Sequence, residues 1–193
     1  SDQVYVRRVA TTNVVLTERH LADLLSQPYK AFHDPQLLSF QPDDLDQIRV
    51  DSVEDFTVQR QPDHSWMITE PVRMKADEVL MGYFVTNLLE LQIVDFAKEV
   101  PTEQDLANLG ILTPVASYAL FEKRKDTNGA LSAILFSEIS FGTNRADTIY
   151  VKRSDETPVY VTLLADMLVL PRHVFEIRDR QIWSFNPSNI VSL

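Results

Sequence analysis

Apolar and polar positions alternate with a period of two along several short stretches of this chain. Ile48 to Ser52 and Phe56 to Gln61 show the pattern of half-buried strands. Pro62-Asp63-His64 carries turn chemistry, and Ser65 to Val72 follows as a strand, so 56–72 is expected to form a hairpin. The period then lengthens. Val79, Leu80, Tyr83, Phe84, Leu88, Leu91 and Val94 recur at helical spacing behind the capping residue Asp77, which predicts a well-buried helix reaching about Lys98. A second helix is punctuated at both ends. Thr102 and Asp105 have the spacing of a capping box, Gly110 stands where a left-handed residue is needed, Ile111 can fold back on Leu106, and Pro114 forbids continuation.

Beyond that helix the pattern returns to strands. Ser117 to Asp126 and Ala130 to Ser140 flank Asn128-Gly129, a type I′ hairpin signal. Thr148 to Arg153 and Pro158 to Thr162 give two more strands. Leu163 to Leu170 reads as a short helix stopped by Pro171, and Arg172 to Arg178 as a further helical turn. Gln181 to Phe185 and Asn189 to Leu193 are expected to be extended. Strands joined by short turns imply antiparallel pairing. The expected class is α+β: a mainly antiparallel sheet with helices packed on one face.

The pattern also repeats. With a constant offset of 145, residues 1–48 align without a gap on 146–193, and thirteen of the 48 positions are identical. That is about 27%, where unrelated sequences give about 6%. The identities include Val6/Val151, Arg8/Arg153, Val14/Val159, Leu25/Leu170, Asp34/Asp179, Phe40/Phe185 and Pro42/Pro187. The expected organisation is a tandem-repeat unit of about 145 residues. On this reading 1–48 is the C-terminal tail of a preceding unit and 49–193 one complete unit, and the parent protein carries more sequence upstream.

Composition narrows the function classes. Cysteine is absent, which excludes disulfides and thiolate metal sites. A net charge of −10 argues against a nucleic-acid partner. No run approaches about 18 apolar residues, so no transmembrane segment is expected in this chain.

A search for chemistry yields no catalytic, cofactor or metal residues. The four glycines, Gly82, Gly110, Gly129 and Gly142, form no phosphate-cradling loop. His20, His33, His64 and His173 show no close ligand spacing. Asp43, Asp44 and Asp46 lack the glycine and closing glutamate of a calcium loop, and a turn that buries Leu45 is the preferred reading. No GxSxG elbow occurs. The run Glu122-Lys123-Arg124-Lys125 is expected to guard a strand edge, with anion binding as the sharper alternative. Arg178-Asp179, aligned with His33-Asp34, is expected to fix a corner by hydrogen bonds to backbone. Trp66 and Trp183 are expected in the core, ahead of a carbohydrate platform.

One family shares this order of features. The run Ser65-Trp66-Met67-Ile68-Thr69-Glu70-Pro71-Val72, then Ala76-Asp77, a long helix, and Asp105-Leu106-Ala107-Asn108-Leu109-Gly110-Ile111 with Pro114 resembles the bacterial family called domain of unknown function 4340. Phe141-Gly142, Tyr150-Val151 and the closing Phe175 to Phe185 element are similar to its later motifs, with spacing slightly altered at the start of the last. The resemblance covers about 49–193, and the tail copy covers 1–48. It implies a bacterial protein with an N-terminal membrane helix, a large extracytoplasmic part, and genes for a gliding-type ABC transporter beside its own. It supplies no catalytic residues. The expected function is therefore a non-catalytic extracytoplasmic interaction or accessory module, with a protein, an envelope component or an ABC-type transport system as partner. Two alternatives stay open: an envelope-polymer hydrolase with an unrecognised carboxylate site, and a structural spacer of tandem repeats.

Overall fold

The computed structural model describes residues 2–7, 12–27, 33–125 and 131–181. The chain divides into two compact units, Ser1–Asp34 and Pro35–Leu193. The smaller unit is an antiparallel hairpin, β1 (Gln3–Arg7) and β2 (Val14–Glu18), followed by α1 (Arg19–Leu25). No residue of α1 is buried.

The larger unit is built on a nine-stranded sheet in which every neighbouring pair is antiparallel. Its strands are β3 (Gln47–Asp51), β4 (Phe56–Arg60), β5 (Trp66–Glu70), β6 (Met74–Lys75), β7 (Asp95–Lys98), β8 (Ala116–Lys125), β9 (Leu131–Arg145), β10 (Thr148–Arg153) and β11 (Val159–Leu163). They lie in the order β6-β5-β4-β3-β8-β9-β10-β11-β7. Period-two burial explains them: Ile48 and Val50 of β3 are buried while Arg49 and Asp51 are exposed, and Ile149 and Val151 of β10 are buried likewise. The expected 56–72 hairpin is present as β4–β5. The Asn128-Gly129 turn and the extended segments after Gln181 lie outside the described residues.

Helix α2 (Glu78–Glu90) starts as expected, with Asp77 Oδ1 accepting from the amides of Val79 (2.9 Å) and Leu80 (3.1 Å). Its face and length differ from expectation. Met81, Phe84, Val85 and Leu88 are buried, the i, i+3, i+4, i+7 set, while Val79 and Tyr83 are exposed. The helix ends at Glu90, not near Lys98. The segment Pro35–Leu37 captures the next residues in extended form: the Leu37 amide donates to the Leu91 carbonyl (2.9 Å) and the Ile93 amide to that of Pro35 (2.7 Å). Residues 95–98 then pair with β11 as the ninth strand. Tertiary hydrogen bonding thus overrides a helical period. Leu37, Leu38, Leu45 and Ile48 pack into the core of this unit.

Helix α3 (Glu103–Asn108) carries both expected ends. Thr102 and Asp105 form the reciprocal capping box. At the other end Ile111 N–H donates to the Leu106 carbonyl (2.9 Å) and Gly110 N–H to that of Ala107 (3.1 Å), with Gly110 at φ +72°. This turn lies directly on β9. The Leu109 carbonyl accepts from Thr143 N–H (2.9 Å), and a Cβ at Gly142 would meet that oxygen at 2.1 Å. Two glycines far apart in sequence therefore permit one close approach of backbone to backbone. Helix α4 (Leu164–Leu168) follows β11, and a 3-10 turn spans Val174–Glu176.

The two hairpins share their geometry. In the small unit Val4 opposes Thr17, Tyr5 opposes Leu16 and Val6 opposes Val15. In the large unit Ile149 opposes Thr162, Tyr150 opposes Val161 and Val151 opposes Tyr160, each partner displaced by 145. The helix-entry bonds match as well: Arg19 N–H to the Asp2 carbonyl and Leu164 N–H to that of Asp147, both 2.8 Å.

The glycines give a contrasting pair of expected outcomes. Gly142→Ala forces a methyl group into the Leu109 carbonyl and should lower unfolding stability by about 2 kcal/mol or more. Gly82→Ala, on α2 where a Cβ would have nothing within 4 Å, should raise it by about 0.5–1 kcal/mol. Urea midpoints at constant m-value check both.

Candidate functional site

Three surface features of the large unit have the makings of a site. The first is an open groove of about 350 Å³ where β3 and β4 run beside the Glu70-Pro71 peptide, lined by Arg49, Asp51, Asp55, Thr57, Glu70 and Pro71. Local bonds occupy two of its three carboxylates. Glu70 Oε2 accepts from the Thr57 hydroxyl (2.8 Å) and Asp55 Oδ1 from the Ser52 amide (3.3 Å). The Arg49 guanidinium lies 5.5 Å from the Phe121 ring centroid. The groove offers mixed charge to a polar ligand.

The second feature brings a histidine to two carboxylates. His173 Nδ1 is 3.8 Å from Glu54 Oε2. That same oxygen accepts from the Val174 amide (3.0 Å), and Glu176 Oε2 accepts from the amides of Arg172 (2.6 Å) and His173 (2.9 Å). The carboxylates therefore cap the 3-10 turn and hold it against the β3–β4 connection, where the Arg172 carbonyl accepts from Ser52 Oγ (3.1 Å). An acid–base role would require them to leave these backbone donors.

The third feature is apolar. The outer side of α2 and the chain leaving α4 form a shallow groove of about 130 Å³, lined by Leu80, Tyr83, Asn87, Leu168, Val169 and Glu176. Tyr83, Leu168 and Val169 are half exposed or more, and Val79 continues the ledge along the helix. A helix with its inner face filled normally turns polar side chains outward.

A fourth cluster is internal and structural. Arg153, at the end of β10, forms a two-pronged ion pair with Asp155 (Nε–Oδ1 3.0 Å, Nη2–Oδ2 2.6 Å) and a third contact with Glu156 (3.1 Å). Its Nη1 also donates to the Leu37 carbonyl (3.1 Å), tying the Pro35–Leu38 segment to the sheet. Glu156 Oε2 accepts from the Tyr160 hydroxyl, and the Tyr160 ring meets Phe96 edge-on at 5.2 Å. The hydrogen bonds to Arg153 hold Asp155 below the usual carboxylate range, and the same bonds raise Arg153. Burial first, then the Glu156 bond, pushes the Tyr160 hydroxyl above the ordinary phenol value.

The residues singled out by sequence are scattered. His20 lies on exposed α1, His33 Nδ1 contacts the Asp34 carbonyl (2.7 Å), and His64 sits at φ +65° in the β4–β5 turn. Among the described residues no group of three or more His, Asp or Glu side chains is placed to hold a metal ion. Pro42–Asp44 forms a 3-10 turn that buries Leu45, and Asp46 accepts from the Lys123 amide (2.8 Å) and Nζ (3.3 Å). The edge expectation for 122–125 needs correction. Strand β8 lies between β3 and β9, and only its end runs past the last β3 pair, Gln47 with Phe121, where Asp46 takes the free Lys123 amide. Asp179 does brace a corner: its Oδ1 accepts from the Gln181 amide (2.8 Å) while its own amide donates to the Lys75 carbonyl (3.0 Å). Trp66 is buried under the Arg60 guanidinium, and Trp183 lies outside the described residues. The apolar ledge was missed, although Val79 and Tyr83 already stand off the buried i, i+3, i+4, i+7 set. The Arg8/Arg153 identity was the available signal for the Arg153 cluster.

Fold and surface together define a mainly antiparallel α+β protein of the kind that presents faces to partners. The family model described as Domain of unknown function (DUF4340) matches residues 1–114 and again 66–193, two overlapping stretches that span the chain and suggest a repeat. The chain belongs to that family. No curated protein and no solved structure matches it.

The Arg153 cluster sets a pH dependence. Asp155 is depressed when folded, so its contribution is present above the ordinary carboxylate pKa of about 4 and is lost as pH falls through its lower folded value. Asp155→Asn should therefore destabilise at pH 7, and the gap to wild type should close near pH 2. Urea midpoints of both proteins across that range check it.

Proposed function

We propose that this chain is a non-catalytic, extracytoplasmic interaction module of a membrane-anchored bacterial protein that partners an ABC-type transport system. The observation that carries the reading is the apolar ledge of Val79, Tyr83, Leu168 and Val169. Contiguous apolar surface of this sort marks contact sites on soluble domains. Tyr83 supplies the aromatic anchor that such sites favour. The family resemblance supports the envelope side of the membrane, with the anchor outside this chain. Among the described residues no helix is long and apolar enough to cross a membrane. The organisation that best accommodates these features is a tandem repeat of about 145 residues, with 1–48 closing one unit and 49–193 forming another. The common register of the two hairpins supports it. The edge-on contact of Phe84 in α2 with Tyr118 in β8 supports helices gathered on one sheet face.

Asp51, Asp55 and Glu70 around one groove favour a second reading, an envelope-polymer hydrolase. Local hydrogen bonds to Asp55 and Glu70 favour the first.

Photo-crosslinking in native cells separates them. A benzophenone side chain at Tyr83 should give an adduct with a transport-system subunit, and one at the exposed Asp43 should not. Equal yields at both positions, or turnover of envelope polymer that Glu70→Gln abolishes, overturns the proposal.

A further inference from the structure

We propose that the exposed face of the hairpin–helix unit, β1-β2-α1, is a docking surface for a module head like residues 35–145, supplied ahead of Ser1 in the same polypeptide. The inference does not rest on the partner reading above. It rests on a comparison inside the molecule. The hairpins β1-β2 and β10-β11 share register and helix-entry bond, yet their surroundings differ. In the large unit β10 is flanked by β9 and β11 by β7. Val151 and Val159 are 0% exposed, Tyr160 1% and Leu170 2%. Their counterparts at the offset of 145 are Val6 at 39%, Val14 at 58%, Val15 at 61% and Leu25 at 68%. Among the described residues the β1-β2 sheet has no third strand. A two-stranded hairpin with apolar side chains in water is marginal at best.

The same side chains are thus bare in one copy and covered in the other, and the large unit shows what covers them. One strand of the β9 kind adds to the first edge, through pairs such as Ile149 with Asn144 and Val151 with Phe141. One strand of the β7 kind adds to the second, through Tyr160 with Phe96. Both come from the 35–145 segment. A head from a second copy is disfavoured as occupant, because its seat is already filled by its own β10 and β11, whose fully buried side chains would have to be released. A head joined ahead of Ser1 meets no such competitor and would enter β1 with the spacing at which Arg145 precedes β10.

The test joins a second copy of residues 35–145 directly to Ser1 of the full chain. Amide hydrogen exchange is read on the hairpin, whose sequence occurs once. In the 1–193 chain the amides of 14–18 should exchange freely. In the fusion their protection should rise by about 100-fold or more. Val14→Lys should cancel that rise while leaving exchange in β8 to β11 unchanged, since Val14 is exposed in the chain alone. No rise overturns the proposal, as does a rise that Val14→Lys leaves intact. Hairpin protection in monomeric 1–193 also overturns it. Protection confined to a 1–193 dimer, seen by sedimentation, assigns the face to a second copy and overturns it too. If α2 peptides in the fusion split into protected and unprotected populations, the added head has not been completed by this hairpin, and the proposal fails equally.

Discussion

The bond from the Leu37 amide to the Leu91 carbonyl decides much of the larger unit. It pulls the chain out of α2 after Glu90 and starts an extended run. That run continues through the Ile93 and Val94 amides to the carbonyls of Pro35 and Val161, and so delivers residues 95–98 to the edge of β11. Without this capture the helical period through Val94 would have no competitor, and β11 would be an open edge. The capturing segment is itself held from two sides. Leu37 and Leu38 are buried, contributing about 1.5–3 kcal/mol each. The Leu37 carbonyl is fixed by Arg153 from β10. Residues 35–38 thus act as a wedge between the end of a helix and the far side of the sheet.

That wedge explains where sequence reading succeeded and where it failed. Features fixed by neighbours in sequence were legible: the Asp77 cap, the Thr102–Asp105 box, the left-handed Gly110 and the alternating strands. Each depends on bonds spanning six residues or fewer. The end of α2 was not legible, because its cause sits more than fifty residues upstream and leaves no local punctuation. No glycine or proline marks the exit at Leu91. Gly142 was visible as a residue, but its reason, the Leu109 carbonyl, appears only when β9 meets the α3 turn. The outward face of α2 was misassigned for a related reason. Val79 and Tyr83 fit an apolar stripe as well as Met81 and Val85 do, and only packing selects between them.

The site question follows the same division. Carboxylates and histidines are numerous, and sequence alone cannot tell a catalyst from a cap. The structure assigns most of them to backbone. Glu54 and Glu176 hold a 3-10 turn, Asp46 ends a strand edge, Asp105 closes a helix and Asp179 braces a corner. What remains without an internal task is apolar: the α2–α4 ledge and the bare hairpin. A chain with net charge −10 that still exposes these surfaces is organised for contact more than for turnover.

The two hairpins turn this from an impression into a physical comparison. Side chains of one alignment, in one register, are solvated in the first copy and dry in the second. Sequence similarity by itself would permit the first copy to be a degenerate remnant, drifting toward polar surface. Drift of that kind replaces buried valines with charged residues once nothing covers them. Val6, Val14 and Leu25 have instead kept the identities of their buried counterparts Val151, Val159 and Leu170. Retained apolar chemistry at exposed positions is what a surface looks like when its cover is real but lies outside the residues in view.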